Sequence, residues 1–162
     1  MKIKITRHIE SSMWREYITL INLTTLKNVI KITINHAKPT ISFNIIEINI
    51  ILTNDENIRQ YNKQYRNIDK ATNILAFQVE DLSVQTHPRE YCYLGDLVIS
   101  VDTLFNESIL YGKKFKDHFI HLLIHGTLHL LGYDHILKAE RLFMERLEEH
   151  ILQSLNITSP YE

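Results

Sequence analysis

The sequence is poor in the residues that brace disulfide-rich domains or form flexible linkers. It has one cysteine, Cys92, three prolines and four glycines among 162 residues. A single cysteine excludes a disulfide within the chain and fits a reducing compartment. Because there is no low-complexity tract or stretch rich in proline and glycine, no linker between domains can be placed. We therefore predict one domain over residues 1–162, with 156–162 as a flexible tail.

The chain also lacks an excess of charge of either sign. Its 18 basic and 19 acidic side chains give a formal net charge of −1, so overall charge gives no argument for a nucleic-acid partner. No run approaches the roughly 18 apolar residues needed to cross a membrane. The first residues, MKIKIT, lack the apolar core of a signal peptide. We expect a cytoplasmic protein with no membrane partner.

Strand and helix patterns interleave along the chain. The predicted strands cover 1–7, 43–53, 74–77 and 94–100. The predicted helices cover 14–36, 55–65, 101–111, 116–131 and 138–155. Residues 80–92 are predicted to be a loop, and the first helix is favoured over a strand and expected to end before Pro39. This order predicts a single domain of the α/β or α+β class, with a small mixed sheet of about four strands packed against helices.

The last predicted helix is amphipathic. Its apolar residues recur at the spacing of one helix face, which predicts that this face packs inward. The residues predicted to face inward are Leu142, Phe143, Leu147, Ile151 and Leu155.

Three histidines in one segment have a spacing typical of zinc sites. Residues 125–135 read HGTLHLLGYDH. On a helix, His125 and His129 project from the same face, one turn apart. Gly132 ends the helix and lets the backbone turn, so that His135 can supply a third nitrogen. Three protein ligands leave a fourth position open on zinc, as in catalytic sites that activate water. We predict a hydrolase that binds one Zn²⁺ per chain.

A simple alternative is that these are buried histidines with ordinary hydrogen bonds. A pair of histidines four residues apart is weak evidence for a metal. This helix is strongly apolar, however, and burying an unpaired imidazole costs about 1–3 kcal/mol. Two imidazoles on one buried helix need a shared partner, which a divalent ion supplies; imidazole also accepts ions other than zinc. His118 and His121 are interpreted as non-ligands at the helix edge or hydrogen-bonded.

The three-histidine spacing equals that of the metzincin peptidases, His-Glu-x-x-His-x-x-Gly-x-x-His. Gly126 stands where those enzymes have their general-base glutamate, which argues against proteolysis by that route. Glycine within a helix costs roughly 1 kcal/mol relative to alanine. We therefore expect that this position needs space, either for close approach of a substrate or for tight packing.

The same segment resembles the motif of the YbeY family, His-Gly-x-Leu-His-Leu-x-Gly-Tyr-Asp-His, at every fixed position. Two further segments are similar to motifs of that family. They read YRNIDKATNILAF at 65–77 and LGDLVIS at 94–100. Ala76 stands in place of the usual serine and Gln78 in place of the usual proline. The similar segments occur in the same order as in the family and extend over about residues 40–150.

The resemblance implies a single α/β domain with zinc in a cleft. It also implies a single-strand-specific endoribonuclease that acts in late 16S rRNA 3′-end maturation and ribosome quality control. The implied partners are RNA, as an rRNA precursor within the small ribosomal subunit, and also ribosomal proteins and an assembly GTPase. Two rivals stay open: a zinc metallopeptidase-like hydrolase of a non-RNA substrate, and a non-catalytic ribosome-assembly factor with structural zinc.

By the same resemblance, Arg66 lies near the metal and acts in catalysis by contacting phosphate, which a guanidinium can bind with two hydrogen bonds. The alternative is a surface arginine paired with Asp69. Asp134 is predicted to orient an imidazole N–H or, less in keeping with an open site, to act as a fourth ligand. Asp96 and Asn73 are further candidates to support the ligands or contact substrate. An attacking water and the RNA 2′-hydroxyl remain alternative nucleophiles.

Overall fold

The computed structural model describes residues 1–37, 39, 42–79, 81–82 and 88–161. The strands are β1 (Lys2–Ile9), β2 (Phe43–Thr53), β3 (Ile74–Gln78) and β4 (Arg89–Ser100). The helices are α1 (Leu23–Ala37), α2 (Asp55–Arg66), α3 (Val101–Leu110), α4 (Phe115–Leu130) and α5 (Lys138–Ser154), and a short 3₁₀ helix spans Ser12–Tyr17. Within this described part of the chain, no helix is both long and apolar enough to span a membrane.

The four strands form one mixed sheet in the order β1-β2-β4-β3. β1, β2 and β4 run parallel, whereas β3 pairs antiparallel with β4 and forms one edge. One face of the sheet is buried at its centre, where Ile46, Ile48 and Ile50 of β2 point to the same side. The predicted fold class and the number of strands are confirmed.

Two apolar clusters lie on opposite faces of this sheet. The larger contains buried residues of α1, α4 and α5, with Leu97 and Ile99 of β4. The smaller contains Ile58 of α2 with Leu75 and Val98. Because side chains alternate along a strand, neighbouring residues of β3 and β4 point to different clusters. The helix with the histidines therefore packs on one face of the sheet and α2 on the other.

The first predicted helix is wrong at its start. Residues 14–36 were expected to be continuous, but α1 begins only at Leu23, where the Asn22 side chain accepts a 2.8 Å hydrogen bond from the Thr25 backbone N–H. An asparagine in this position caps a new helix start. The preceding 3₁₀ helix is anchored by Trp14, which is fully buried and donates its indole N–H to the Thr53 carbonyl oxygen at 2.9 Å.

Two other expectations fail locally. The predicted loop 80–92 ends earlier, because β4 begins at Arg89 and pairs in parallel with β2; residues 80 and 83–87 lie outside the described part. On α5, Ile151 is buried and Leu147 and Leu155 pack against the core as predicted, but Leu142 and Phe143 are exposed. The face of α5 that is buried is formed by Met144, Glu148, Ile151 and Leu152.

Candidate metal centre

The helix α4 ends in a turn that reverses the chain. Gly132 has a φ of +96°, a backbone conformation that favours glycine. Its N–H bonds to the His129 carbonyl oxygen at 3.0 Å, and the Tyr133 N–H bonds to the Leu128 carbonyl oxygen at 3.1 Å. This pair of bonds is a Schellman motif, which satisfies carbonyls left open at the helix end. The turn predicted from the glycine is therefore present.

The turn brings three imidazoles together. One ring nitrogen from each of His125, His129 and His135 lies within 4.8 Å of the others. The Nε2 atoms of His125 and His129 are 3.0 Å apart. Two of the rings are half-buried and that of His135 is exposed, so the group opens towards solvent. Such a set of nitrogen donors could hold one divalent ion, as the sequence predicts.

Burial keeps one of these imidazoles neutral. It is the main reason that the pKa of His129 is lowered to about 4, and the nearby His125 and His135 add to the effect. A neutral imidazole is the form that coordinates a metal. The helix therefore presents His129 in its ligand form at neutral pH.

A buried carboxylate lies behind the three histidines. Glu148 of α5 is fully buried and accepts hydrogen bonds from His125 Nδ1 at 2.6 Å, from His121 Nε2 at 2.9 Å and from the Tyr161 hydroxyl. Burial would raise the pKa of this carboxyl, but the hydrogen bonds from the two histidines lower it to about 2. Sequence reasoning missed Glu148. The available signal was that two buried imidazoles need an acceptor.

A second group of buried polar side chains lies near the start of α4. His118 is buried, with its Nε2 3.3 Å from Glu107 Oε1, and the Asn73 amide donates to the same oxygen at 2.9 Å. His118 and His121 therefore both have carboxylate partners, as expected for hydrogen-bonded non-ligands. The structure brings Asn73 to Glu107, and its predicted part in the site stays a prediction.

The two predicted aspartates contact groups other than the metal-site imidazoles. Asp134 accepts a 2.7 Å hydrogen bond from the backbone N–H of His135. Asp96, within β4, accepts a hydrogen bond from the Tyr93 hydroxyl. Asp134 thereby fixes the backbone that carries His135. A direct role for either carboxylate at the metal stays a prediction.

Arg66 lies on the other side of the edge strand from α4. Its guanidinium carbon is 5.9 Å from the ring centroid of Phe77, whose ring belongs with the α2 face of the sheet. The next residue, Gln78, points the other way and approaches Gly132, its amide nitrogen lying 3.8 Å from where a Cβ would stand there. Strand β3 thus lies between Arg66 and helix α4, which carries His125 and His129. The alternative partner Asp69 binds Arg59, with an N–O distance of 2.7 Å.

Comparison with known proteins gives matches over most of the chain. A family model described as "Endoribonuclease YbeY" matches residues 11–156. The chain is 37% identical over 159 residues to the Endoribonuclease YbeY of Bartonella quintana, covering 98% of this chain and 97% of that protein. It is 44% identical over 116 residues to that of Agrobacterium fabrum, covering 72% and 68%.

One solved structure supports the fold. The solution structure of TM1509 from Thermotoga maritima matches with a TM-score of 0.54 and 19% identity, covering 95% of this chain and 91% of that one. The family model covers the motifs at 65–77, 94–100 and 125–135, which all lie within residues 11–156. The chain belongs to the YbeY endoribonuclease family.

Proposed function

We propose that this protein is a zinc-dependent endoribonuclease whose active centre is formed by His125, His129 and His135. The observation that carries the proposal is the convergence of three imidazole nitrogens within 4.8 Å of one another, in a chain of this family. The similar proteins from Bartonella quintana and Agrobacterium fabrum are both named endoribonucleases.

The donor set fits zinc. Three imidazoles with an open side match catalytic rather than structural zinc sites, and a carboxylate behind one imidazole is the usual support for a zinc-binding histidine. When bound there, zinc would supply a Lewis acid that polarises a phosphate oxygen and lowers the pKa of bound water. Nickel and other divalent ions also bind imidazole, so metal analysis is part of the test.

The residues of the chain would position an RNA strand at the edge of the sheet. Helix α4, which carries His125 and His129, packs on one face of β3, and Arg66 lies over Phe77 on the other face. A single strand that crosses this edge could contact both, with its phosphates facing the guanidinium. Arg66 would then hold a phosphate and stabilise the negative charge that develops on its oxygens. A single strand, unlike a duplex, can bend across one edge strand, which supports single-strand specificity.

The cellular process, the substrate and the partners that we propose rest on the family resemblance. We propose late 16S rRNA 3′-end maturation and ribosome quality control as the process, with an rRNA precursor in the small ribosomal subunit as substrate. Ribosomal proteins and an assembly GTPase are proposed partners, and the cytoplasm is the proposed location. RNA is the partner that these proposals share.

The test is cleavage of single-stranded and duplex RNA by zinc-loaded protein. We expect wild type to cleave the single strand, His125→Ala to be inactive, and Arg66→Glu to lose at least 100-fold in kcat/KM while it keeps its zinc. Lys63→Glu, the same charge change one turn earlier on α2, is the matched control and should lose far less. Equal losses in the two charge variants would contradict a specific phosphate contact.

The product ends and a peptide substrate separate the remaining alternatives. A 2′,3′-cyclic phosphate identifies the RNA 2′-hydroxyl as the nucleophile, whereas a linear phosphate identifies water. Cleavage of peptide probes without RNA cleavage would favour a peptidase. Loss of folding in His129→Ala, together with normal assembly by Arg66→Glu, would favour a non-catalytic assembly factor.

A further inference from the structure

We propose that Glu148 and Tyr161 are positioning residues for the metal centre. The carboxylate fixes His125 in the tautomer that turns its Nε2 towards the metal, and the tyrosine hydroxyl holds the carboxylate in place. This inference deepens the proposed function and rests on it, because it presumes that the three histidines bind an ion.

The tautomer follows from the hydrogen bond. An ionised carboxylate can only accept, so the Nδ1 of His125, 2.6 Å from Glu148 Oε1, must carry a proton. The metal-binding form of an imidazole has one N–H, so a proton on Nδ1 leaves the lone pair on Nε2. That is the atom 3.0 Å from His129 Nε2 and therefore the one that faces the other ligands. Glu148 thus selects the ligand form of His125.

The second oxygen of the carboxylate is held independently. Oε2 of Glu148 accepts from His121 Nε2 at 2.9 Å and from the hydroxyl of Tyr161. With both oxygens bonded and the side chain fully buried, the carboxylate has no freedom to rotate away from His125. His121 and Tyr161 thereby act on the metal site through Glu148.

The segment after α5 carries Tyr161 back to this point. The Ile157 N–H bonds to the Leu152 carbonyl oxygen at 2.9 Å, and the Ser159 hydroxyl donates to Glu149 Oε1 at 2.5 Å. These two contacts tie the segment to α5 on the way to Tyr161. We expect the end of the chain, which was predicted as a tail, to contribute to metal affinity. Its mobility stays a prediction, and Glu162 lies outside the described part.

The direct test is the tautomer of His125 in metal-free wild-type protein. Long-range ¹H–¹⁵N spectra distinguish a ring protonated at Nδ1 from one protonated at Nε2. We expect Nδ1 of His125, which faces Glu148, to carry a proton. A ring protonated at Nε2 alone would overturn the proposal. This test uses only the wild-type protein, so it does not depend on a variant that folds.

The energetic test is the dissociation constant for zinc, measured by competition with a chelating dye. We expect Glu148→Gln to weaken zinc binding 10- to 100-fold, as is usual when the support of a ligand histidine is removed. Tyr161→Phe, which removes only the hydroxyl, should weaken it about 3- to 10-fold. Glu145→Gln, with the same charge change on the same helix, and Tyr111→Phe, an exposed tyrosine at the end of α3, are the matched controls.

The outcomes separate this proposal from the proposed function. Zinc binding by Glu148→Gln as tight as in wild type, with the protein folded, would overturn the positioning role and leave the endoribonuclease proposal standing. Failure of wild type to bind zinc or to cleave RNA would overturn the proposed function itself. Weakened zinc binding together with a shift of His125 to the Nε2–H tautomer in Glu148→Gln would support the positioning role, since lost stability alone does not move a tautomer.

Discussion

The backbone of Gly126 packs directly against Ile74. A Cβ at Gly126 would lie 2.6 Å from Ile74 Cδ1 and 2.8 Å from Leu97 Cδ2, closer than side-chain carbons approach. Helix α4 therefore packs on the sheet so closely that a Cβ at this position would force the ends of the Ile74 and Leu97 side chains to shift. Of the two reasons the sequence left open for a glycine here, close approach of a substrate and tight packing, the structure supports tight packing.

This packing predicts that restoring the peptidase pattern will not create a peptidase. Gly126→Glu places a charged side chain between α4 and the sheet, where overpacking and burial of an unpaired charge both destabilise. We expect a loss of about 3 kcal/mol or more in the free energy of unfolding. Urea denaturation and a peptide-cleavage assay measure the two effects, with exposed Lys116→Glu on the same helix as control. A stable, proteolytic Gly126→Glu would refute this explanation.

Trp14 is predicted to be a main anchor of the N-terminal part. Its ring is fully buried, packs edge-on against Tyr17, Phe115 and Phe119, and donates to the Thr53 carbonyl oxygen. Trp14→Ala should cost about 3–5 kcal/mol of unfolding free energy, as is typical for truncation of a buried aromatic residue. Circular dichroism during urea denaturation is the appropriate probe. A loss below about 1 kcal/mol would show that the site adjusts around the missing ring.

The buried His118 predicts a pH effect on stability. Burial lowers its pKa below the ordinary 6.5, although hydrogen bonding to Glu107 acts in the opposite direction. As pH falls below 6.5 the unfolded chain therefore binds a proton before the folded chain does, and stability is lost on acidification. Urea titrations of metal-free protein from about pH 7.5 to 5.5 should show a shallower loss for His118→Gln than for wild type. Identical slopes would mean that His118 does not contribute.

Metal binding is predicted to stabilise the fold in proportion to occupancy. An ion that binds only the folded chain adds about 2.7 kcal/mol at a free concentration 100 times its dissociation constant. Thermal melts in zinc and in chelator should differ for wild type. For His129→Ala the two curves should nearly coincide, and a large zinc-dependent shift in that variant would place the ion elsewhere.

The sequence predicted those parts of the site that are local along the chain. His125, His129 and Gly132 belong to one helix and its end, so their spacing alone determines their relative positions. Strands with clear alternation, such as β2, and the helix stop at Gly132 are local in the same sense. Here the periodicity of apolar residues and the helix-end signal agree with the structure.

The parts that failed depend on contacts between distant segments. The prediction for α5 fails only at Leu142 and Phe143, which are exposed. The burial of Glu148 was missed because it depends on pairing with two histidines of α4, which a hydrophobicity pattern cannot show. The predicted start of strand β4, residue 94, is too late. The polar residues from Arg89 onwards form a strand only because they pair with β2. The position of Arg66 relative to the histidines also depends on a distant contact, the pairing of β3, and its predicted role near the metal stays a prediction.

The central claim is that one ion at the three histidines supports RNA cleavage. Metal-free protein should be titrated with zinc while bound metal and the rate of cleavage of a single-stranded RNA are measured on the same samples. The claim predicts that cleavage rises with zinc and stops rising at one ion per chain, and that His129→Ala shows neither binding nor cleavage. Full cleavage by protein shown to be free of metal, or by His129→Ala, would contradict it.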